Sequence, residues 1–391
     1  MLTKAGLLAL LLLAVAFPAS ANAGSRQFSI LQDDGTFLGK NGQDPEQAMA
    51  EARLLGVDVV RVFVNWYAVS PGIKSRTRPA GFDVGDPNSP GYDWSAYDGL
   101  VDRARRHGIQ LFFTLAPAIP YWASEQPGRC PHRIGGYRFF GFSCFWKPSP
   151  KLFGQFTKAV ALRYGTNAPP PTGGQVRWWA LWNEPNLEHY LYPQLQRQQG
   201  VLVDVAARYY RNLWLEGYKA IARYDAPRRN AVLFGETAAI SSPMDTLYAA
   251  LCLDEQGRPF KGRLRALQGC SKPQRLPIGG VAIHPYNQGG LGSVFTRTFT
   301  LDSHPPAYLH RLHRLLDRAA RYGRIPRGRG IYITEFGFQT RPPDGPPALS
   351  LGRHAGAINE AERLFFADRR VRSFAQYELY DVPNRQEFNT G

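Results

Sequence analysis

The chain has 391 residues, 44% of them hydrophobic and 13% aromatic, and a formal net charge of +16. This composition supports a large core and excludes a disordered chain. The arginines are scattered rather than gathered in one basic arm, so we expect no nucleic-acid partner. The charge is then explained by surface solubility or by attraction to an anionic polysaccharide.

The first 23 residues have the pattern of a secretory signal peptide. Lys4 precedes an apolar run, and the small residues of "ASANA" come just before Gly24. This order predicts cleavage after Ala23 and a secreted protein. The apolar run is short for a membrane span, which needs about 20 residues, although an uncleaved anchor is the alternative. We expect residues 24–391 to form one mature domain, monomeric and without membrane attachment.

Strand and helix signals then alternate along the chain. Strands are predicted at 28–34, 57–66, 109–117, 176–185, 231–237, 278–287, 330–338 and 371–381. Helices are predicted at 44–56, 94–108, 149–165, 203–225, 306–323 and 352–368, with a less defined helical region around Cys252. Eight such units predict an α/β protein built as a single (β/α)8 barrel. An open doubly wound sheet is the alternative, but no glycine-rich dinucleotide turn supports it.

Four cysteines are present, and a secreted chain meets an oxidising environment in which cysteines usually pair. Three connectivities are possible. Pairing of neighbours, Cys130 with Cys144 and Cys252 with Cys270, needs the least chain rearrangement. The spacing of cysteines and histidines matches no metal-binding motif, so we expect no metal and no cofactor.

Two glutamates follow predicted strands at opposite positions of the barrel. Glu184 lies in "RWWALWNEPN" at the end of the fourth strand, and Glu335 lies in "YITEFGF" at the end of the seventh. Chemistry in such barrels is found at the carboxyl ends of the strands, and three βα units place the two acids across the mouth. Paired carboxylates suit glycosidic bond cleavage, one as proton donor and one as nucleophile, about 5–5.5 Å apart in a retaining enzyme.

These motifs resemble those of the clan A glycoside hydrolases, which include families 5 and 39. The resemblance covers roughly residues 28–381 and implies a retaining (β/α)8 enzyme with Glu184 as acid/base and Glu335 as nucleophile. It further implies that Asn183 binds the sugar, that Arg61 holds the nucleophile carboxylate, and that the strand-six residues His284 and Tyr286 line the site. Many clan members end strand eight with a tryptophan, whereas this chain has Tyr377 and Tyr380. Tyr377 is the expected sugar platform in its place.

Further candidates rest on weaker signals. The loop at 121–146 is rich in aromatic residues, and we expect its phenylalanines to pack inside and one or two of Trp122, Tyr137 and Trp146 to face a sugar. Glu236 ends the fifth strand and is either a polar support or a sugar ligand. Glu378 is expected within the last strand as a structural residue.

Three functions are compatible with these features. The first is a secreted retaining glycoside hydrolase acting on a β-linked polysaccharide or oligosaccharide, of neutral or anionic character. The second is a catalytically inactive barrel that binds glycan at the cell surface. The third, a polyanion-binding surface protein, rests on the charge alone. The paired acids with Asn183 and Arg61 favour the first, since a binding module needs no such pair.

Overall fold

The computed structural model describes residues 27–130, 143–225, 232–286, 309–342, 344 and 348–381. The strands are β1 (Phe28–Gln32), β2 (Val59–Asn65), β3 (Gln110–Ala116), β4 (Val176–Leu181), β5 (Leu195–Gln198), β6 (Val201–Asp204), β7 (Val232–Ala238), β8 (Gly280–His284), β9 (Gly330–Ile333) and β10 (Val371–Tyr377). All except β5 and β6 form a closed parallel barrel in which each strand pairs with its barrel neighbours in sequence and β10 pairs with β1. The predicted (β/α)8 barrel is confirmed.

Helices alternate with the barrel strands, as the sequence predicts. They are α1 (Asp34–Phe37), α2 (Pro45–Leu54), α3 (Trp66–Val69), α4 (Ser95–His107), α5 (Pro150–Tyr164), α6 (Val205–Tyr224), α7 (Pro243–Ala250), α8 (Gly262–Leu267), α9 (His310–Arg321) and α10 (Leu351–Ala367). Local sequence sets their ends: the Asp44 side chain accepts from the backbone N–H of Glu46 at the start of α2, and Gly108 ends α4 with φ 65°.

The sequence prediction missed some short elements. Helices α1 and α3 have four residues each, too few to show a periodic pattern. Strands β5 and β6 form an antiparallel hairpin before α6. Part of this hairpin was expected to be helical, but α6 begins only at Val205, because the Asp204 side chain caps it by accepting from the backbone N–H of Ala207.

Inward-facing side chains fill the barrel interior below the carboxyl ends of its strands, apolar ones beneath and polar ones above. The lower layer is apolar and consists of Ile30, Val59, Phe112, Trp178, Ala180, Leu233, Ala282 and Ala375. Side chains two residues apart on a strand share a face. The next layer toward the carboxyl ends is therefore formed by Gln32, Arg61, Thr114, His284 and Tyr377. The apolar layer closes the barrel beneath these polar side chains, so the polar layer faces only the mouth.

Strand β7 departs from this alternation. Its register with β8 shifts between Gly235 and Thr237, and both Gly235 (φ 112°) and Glu236 (φ 47°) have positive φ. A Cβ on Gly235 would lie 2.5 Å from the carbonyl oxygen of Ala282, so only glycine fits there. This irregularity turns the Glu236 side chain into the barrel, where it joins the polar layer.

Both disulfides have the nearest-neighbour pairing, Cys130 with Cys144 and Cys252 with Cys270. Among the described residues, no helix has the length and apolar character needed to cross a membrane. The expected signal peptide and Tyr137 of the aromatic loop lie outside the described residues.

Candidate active site

Arg61 lies at the centre of a buried polar network at the mouth of the barrel. Its side chain is fully buried, and its guanidinium donates to five side chains, those of Gln32, Thr114, Asn183, Glu236 and Glu335. Burial alone would lower the pKa of Arg61, but the Glu236 and Glu335 carboxylates raise it above its ordinary value. Arg61 is therefore a permanent positive charge shared between two carboxylates.

Glu335 follows β9 by two residues and is held at both oxygens. Its Oε1 accepts from Arg61 Nη1 at 2.7 Å, and its Oε2 accepts from the Tyr286 hydroxyl at 3.1 Å. Burial, and after it the nearby Glu335 charge, raises the pKa of Tyr286 well above 10. The tyrosine thus keeps its hydrogen and donates it. The two donors together fix the position of the Glu335 carboxylate.

Glu184 has a different environment. Its backbone has φ 42°, and its N–H donates to the carbonyl oxygen of Glu236 at 2.8 Å, which ties the loop after β4 to β7. Its carboxylate Oε1 lies 2.9 Å from His284 Nδ1. Burial raises the pKa of Glu184, the Glu335 charge adds to this, and the hydrogen bond with His284 opposes it. The net direction is upward, which favours a protonated acid.

The two glutamates lie close enough to act on one bond. One carboxylate oxygen of Glu184, one of Glu335 and a ring nitrogen of His284 all lie within 4.8 Å of one another. Glu184 and Glu335 are largely but not completely buried, with side-chain exposures of 12% and 8%. Small exposed fractions at the barrel mouth leave each carboxylate reachable by a substrate.

Glu236 is the third carboxylate of the cluster, and it is the most deeply placed, with a side-chain exposure of 1%. Thr114 Oγ1 donates to it at 2.8 Å, and Arg61 also donates to it. Although burial would raise the pKa of Glu236, Arg61 and then His284 lower it to about 2. Glu236 is therefore a fixed negative charge beneath the two more accessible acids, which makes it a support rather than a sugar ligand.

Comparison with known proteins gives structural matches but no sequence matches. Neither a protein-family profile nor a curated protein sequence matches the chain. A glucosidase from Croceicoccus marinus superposes with a TM-score of 0.56 at 12% identity, covering 91% of this chain and 60% of that one. The cellulose synthase subunit Z of Clostridioides difficile gives a TM-score of 0.50 at 12% identity, covering 91% and 93%. The present chain thus spans about three fifths of the glucosidase's length.

The chain shares the (β/α)8 barrel fold of the Croceicoccus marinus glucosidase. At such low identity the likeness establishes the fold alone, so the roles of individual residues in this glycosidase fold depend on the site geometry. The β-glycosidase of Thermosphaera aggregans, at a TM-score of 0.49 and 16% identity, is a more distant match.

The structure brings Arg61, Asn183, Glu184, His284, Tyr286 and Glu335 together, as the sequence predicts. Asn183 is 2% exposed, and its Oδ1 accepts from Arg61 Nη2 at 3.2 Å, so this oxygen is already engaged within the network. Tyr377 is half-buried, and its ring makes an edge contact with that of Tyr286 at a centroid distance of 6.4 Å. Tyr377 thus lies beside Tyr286, the residue whose hydroxyl donates to Glu335, at a position where its ring can pack against a sugar.

The aromatic loop differs in part from expectation. Trp122 is 5% exposed, its ring packs edge-on against Trp66 and Phe82, and its Nε1 donates to the carbonyl oxygen of Pro71. Its indole therefore belongs to the core rather than to an open sugar-facing surface. Trp146 is half-buried.

Trp146 is held by its neighbours in the loop region. Its Nε1 donates to Gln126 Oε1 at 2.9 Å, and Arg129 lies over its ring at 5.3 Å. Phe145 is buried, as expected for the phenylalanines of this loop. Glu378 lies just beyond β10 rather than within it, with φ 65°, and its N–H donates to the carbonyl oxygen of Gln32 at 2.6 Å.

Three residues of the site were missed from the sequence. Gln32 accepts from Arg61, and Gln32 Nε2 donates to Asp34 Oδ2 at 3.1 Å. Burial raises the pKa of Asp34 from 3.8 to about 6, against the effect of the Phe63 backbone N–H that donates to it. Burial, and next the charges of Glu184 and Glu335, raises the pKa of Tyr190 well above 10. The position of Gln32 and Asp34 at the end of the first strand was a usable signal, whereas Tyr190 follows no motif.

Proposed function

We propose that the chain is a secreted retaining glycoside hydrolase that cleaves a β-linked polysaccharide or oligosaccharide through a glycosyl-enzyme intermediate. The observation that carries this proposal is the pair formed by Glu184 and Glu335, whose carboxylate oxygens approach within 4.8 Å at the mouth. This approach suits the separation of about 5–5.5 Å between carboxyl groups in retaining enzymes, rather than the wider gap that an inverting enzyme needs for a water.

The two acids have environments that match different roles. Glu335 accepts from Arg61 and Tyr286, which hold its carboxylate in place for attack as the nucleophile. Glu184 lies where its pKa is raised, which favours the acid that protonates the leaving oxygen. In the first half-reaction Glu335 bonds to the anomeric carbon while Glu184 gives its proton to the departing oxygen. In the second half-reaction water loses a proton to Glu184, attacks the anomeric carbon and releases Glu335.

The chain segment after Glu184 lines a cavity. A cavity of about 400 Å³ begins two residues after Glu184 and is lined by Asn186, Leu187, Glu188, His189, Gln194, Leu195, Asp204, Ile240, Ser241, Ser242, Asp245 and Thr246. Its lining contains three acidic residues and no lysine or arginine. Acidic side chains in a lining favour a neutral or cationic ligand over an anionic one. The net charge of +16 therefore gives no argument for an anionic ligand at this cavity.

The proposed protein consists of a signal peptide at 1–23 and a catalytic domain at 24–391, acting as a monomer. The two disulfides accord with an oxidising compartment. The test uses residues 24–391 and a panel of aryl β-glycosides and β-linked polysaccharides. Turnover is expected on at least one substrate, and proton NMR of the earliest product should show the β-anomer.

The variants Glu335→Gln and Glu184→Gln serve as controls for a contaminating activity and should abolish or strongly reduce turnover. An α-anomer as first product would contradict the retaining mechanism. Saccharide binding without turnover on any member of the panel would instead identify an inactive glycan-binding barrel. Full activity in Glu335→Gln would contradict the site assignment itself.

A further inference from the structure

Glu236 contacts the groups that hold both reacting acids. Its backbone carbonyl accepts from the N–H of Glu184 at 2.8 Å. Its Oε2 accepts from Arg61, which also donates to Glu335 at 2.7 Å. Glu236 itself is 1% exposed at its side chain and lies too deep to reach a substrate. It is therefore placed to act on the reaction through its neighbours.

The second oxygen of Glu236 faces His284. Glu236 Oε1 and His284 Nε2 lie 3.8 Å apart, and within the described residues neither atom has a hydrogen-bond partner. Two buried polar atoms without partners are costly. A proton on Nε2 would place a positive charge 3.8 Å from the Glu236 carboxylate, which is the distance of an ion pair rather than of a hydrogen bond. The other ring nitrogen, Nδ1, lies 2.9 Å from Glu184 Oε1 and 3.5 Å from Glu335 Oε2.

We propose that Glu236 is a positioning residue that keeps His284 doubly protonated, so that one imidazolium neutralises whichever of Glu184 and Glu335 is negatively charged. In this arrangement Nε2–H faces the fixed charge of Glu236, and Nδ1–H faces the two acids. The role assigned to His284 in the reaction rests on the proposed glycosidase function. The pairing of Glu236 with His284 does not.

The need for such a group follows from the charges in the two half-reactions. Before reaction Glu335 is negative and Glu184 is neutral. When Glu335 bonds to the anomeric carbon and the Glu184 proton leaves with the departing oxygen, the negative charge moves from Glu335 to Glu184. Attack by water returns the charge to Glu335 and the proton to Glu184. An imidazolium within 3.5 Å of both carboxylates compensates each state without giving up a proton.

The groups around His284 support the charged form. It is faced by Glu184 from the loop after β4, Glu236 from β7 and Glu335 from the end of β9, with Arg61 of β2 beyond the latter two. Burial would lower the pKa of His284, but Glu335, Glu184 and Glu236 together raise it to about 9. The carboxyl groups around His284 thus outweigh desolvation.

The test is a nitrogen-15 NMR titration of the histidine rings in the 24–391 protein, with the His284 signals identified by their loss in His284→Gln. The wild type should show both His284 nitrogens protonated at pH 7. In Glu236→Gln, which keeps the shape and removes the charge, the His284 pKa should fall by about 1–3 units. The matched control is Asp225→Asn, which removes another carboxylate of 1% exposure, hydrogen-bonded to Trp179 on the outside of β4.

A neutral His284 in the wild type at pH 7, or an unchanged titration in Glu236→Gln, would overturn the proposal. If Glu236→Gln does not fold, Glu236→Asp is measured instead. Its shorter side chain moves the charge away from His284, so the His284 pKa should fall. An unchanged His284 pKa would contradict the pairing. Because the titration needs no turnover, it remains decisive even if no glycoside is hydrolysed. If a substrate is found, Glu236→Gln should slow both half-reactions, and slowing of only one would contradict charge compensation in both states.

Discussion

Arg61 Nη1 lies 2.7 Å from Glu335 Oε1, in a pair whose side chains are 0% and 8% exposed. Replacing Arg61 by methionine leaves Glu335 and Glu236 without their shared cation. Breaking a buried pair in this way costs about 3–5 kcal/mol of unfolding free energy. We expect a marked loss of stability in urea unfolding, and a variant as stable as the wild type would show that the pair is not needed for the fold.

Arg61→Lys separates charge from geometry. Lysine keeps the positive charge but cannot donate to five side chains at once, because it lacks the planar fork of arginine. The variant should remain folded while kcat/KM falls about 10- to 100-fold, the value of one or two hydrogen bonds to a charged group. Steady-state kinetics at equal folded fraction check this, and unaltered kcat/KM would contradict a holding role for the fork.

The roles of the two glutamates can be separated with an external nucleophile. Glu335→Ala should lose turnover on every substrate, because no other group forms the covalent intermediate. Glu184→Ala should be milder on an aryl glycoside with a good leaving group, which departs without a proton. Added azide should partly rescue Glu184→Ala and give a β-glycosyl azide. Rescue of Glu335→Ala to a β-product would contradict Glu335 as the nucleophile. No effect of azide on folded Glu184→Ala would contradict Glu184 as the acid/base.

The raised pKa of Glu184 predicts the alkaline side of the activity profile. A general acid works only while protonated, so kcat/KM should fall as pH rises through the Glu184 pKa in the folded protein, above its ordinary value of 4.5. In Glu184→Ala, measured on a substrate with a good leaving group, this alkaline fall should disappear. Its persistence in the variant would assign the alkaline ionisation to another group.

Asp34 should make the stability of the fold depend on pH. Its pKa rises from 3.8 to about 6 on burial, so the folded state prefers the protonated carboxyl. The contribution of Asp34 to the unfolding free energy is fully present below pH 3.8 and is lost as pH rises through about 6. As pH rises from 4 to 7, the wild type should therefore lose up to about 3 kcal/mol of unfolding free energy relative to Asp34→Asn, which has no titrating group at this position. Urea unfolding across this range measures the difference, and a constant difference would contradict a raised pKa of Asp34 in the folded protein.

Each disulfide should contribute measurably to stability. The bridges Cys130–Cys144 and Cys252–Cys270 close loops of 14 and 18 residues in sequence separation. Replacing either pair by alanines should cost about 2–4 kcal/mol, chiefly because the unfolded chain becomes freer. Thermal unfolding of the two double variants measures this. Peptide mapping without reduction provides the control, because free thiols or crossed pairs would contradict the pairing.

The sequence by itself determined the barrel and the two principal acids. Both depend on local features: strands and helices are visible in apolar periodicity, and Glu184 and Glu335 follow directly from where the fourth and seventh strands end. The pairing of neighbouring cysteines also needed only short chain separations. Such features are properties of segments, so they can be recognised without knowing how distant segments meet.

Only the tertiary structure decided the supporting groups. The sequence placed Glu236 at the end of the fifth strand but left open whether it supports the site or binds sugar, and the register shift beside Gly235 and the burial of its side chain were seen only in the structure. Trp122 was one of three aromatic residues of which one or two were expected to face a sugar, but its ring is buried against Trp66 of α3 and Phe82. The raised pKa of Asp34 depends on burial by the whole fold. Desolvation and contacts across the barrel arise from residues far apart in the chain. They decide that Glu335 is held by two donors, that the pKa of Glu184 is raised and that Glu236 is buried beneath both.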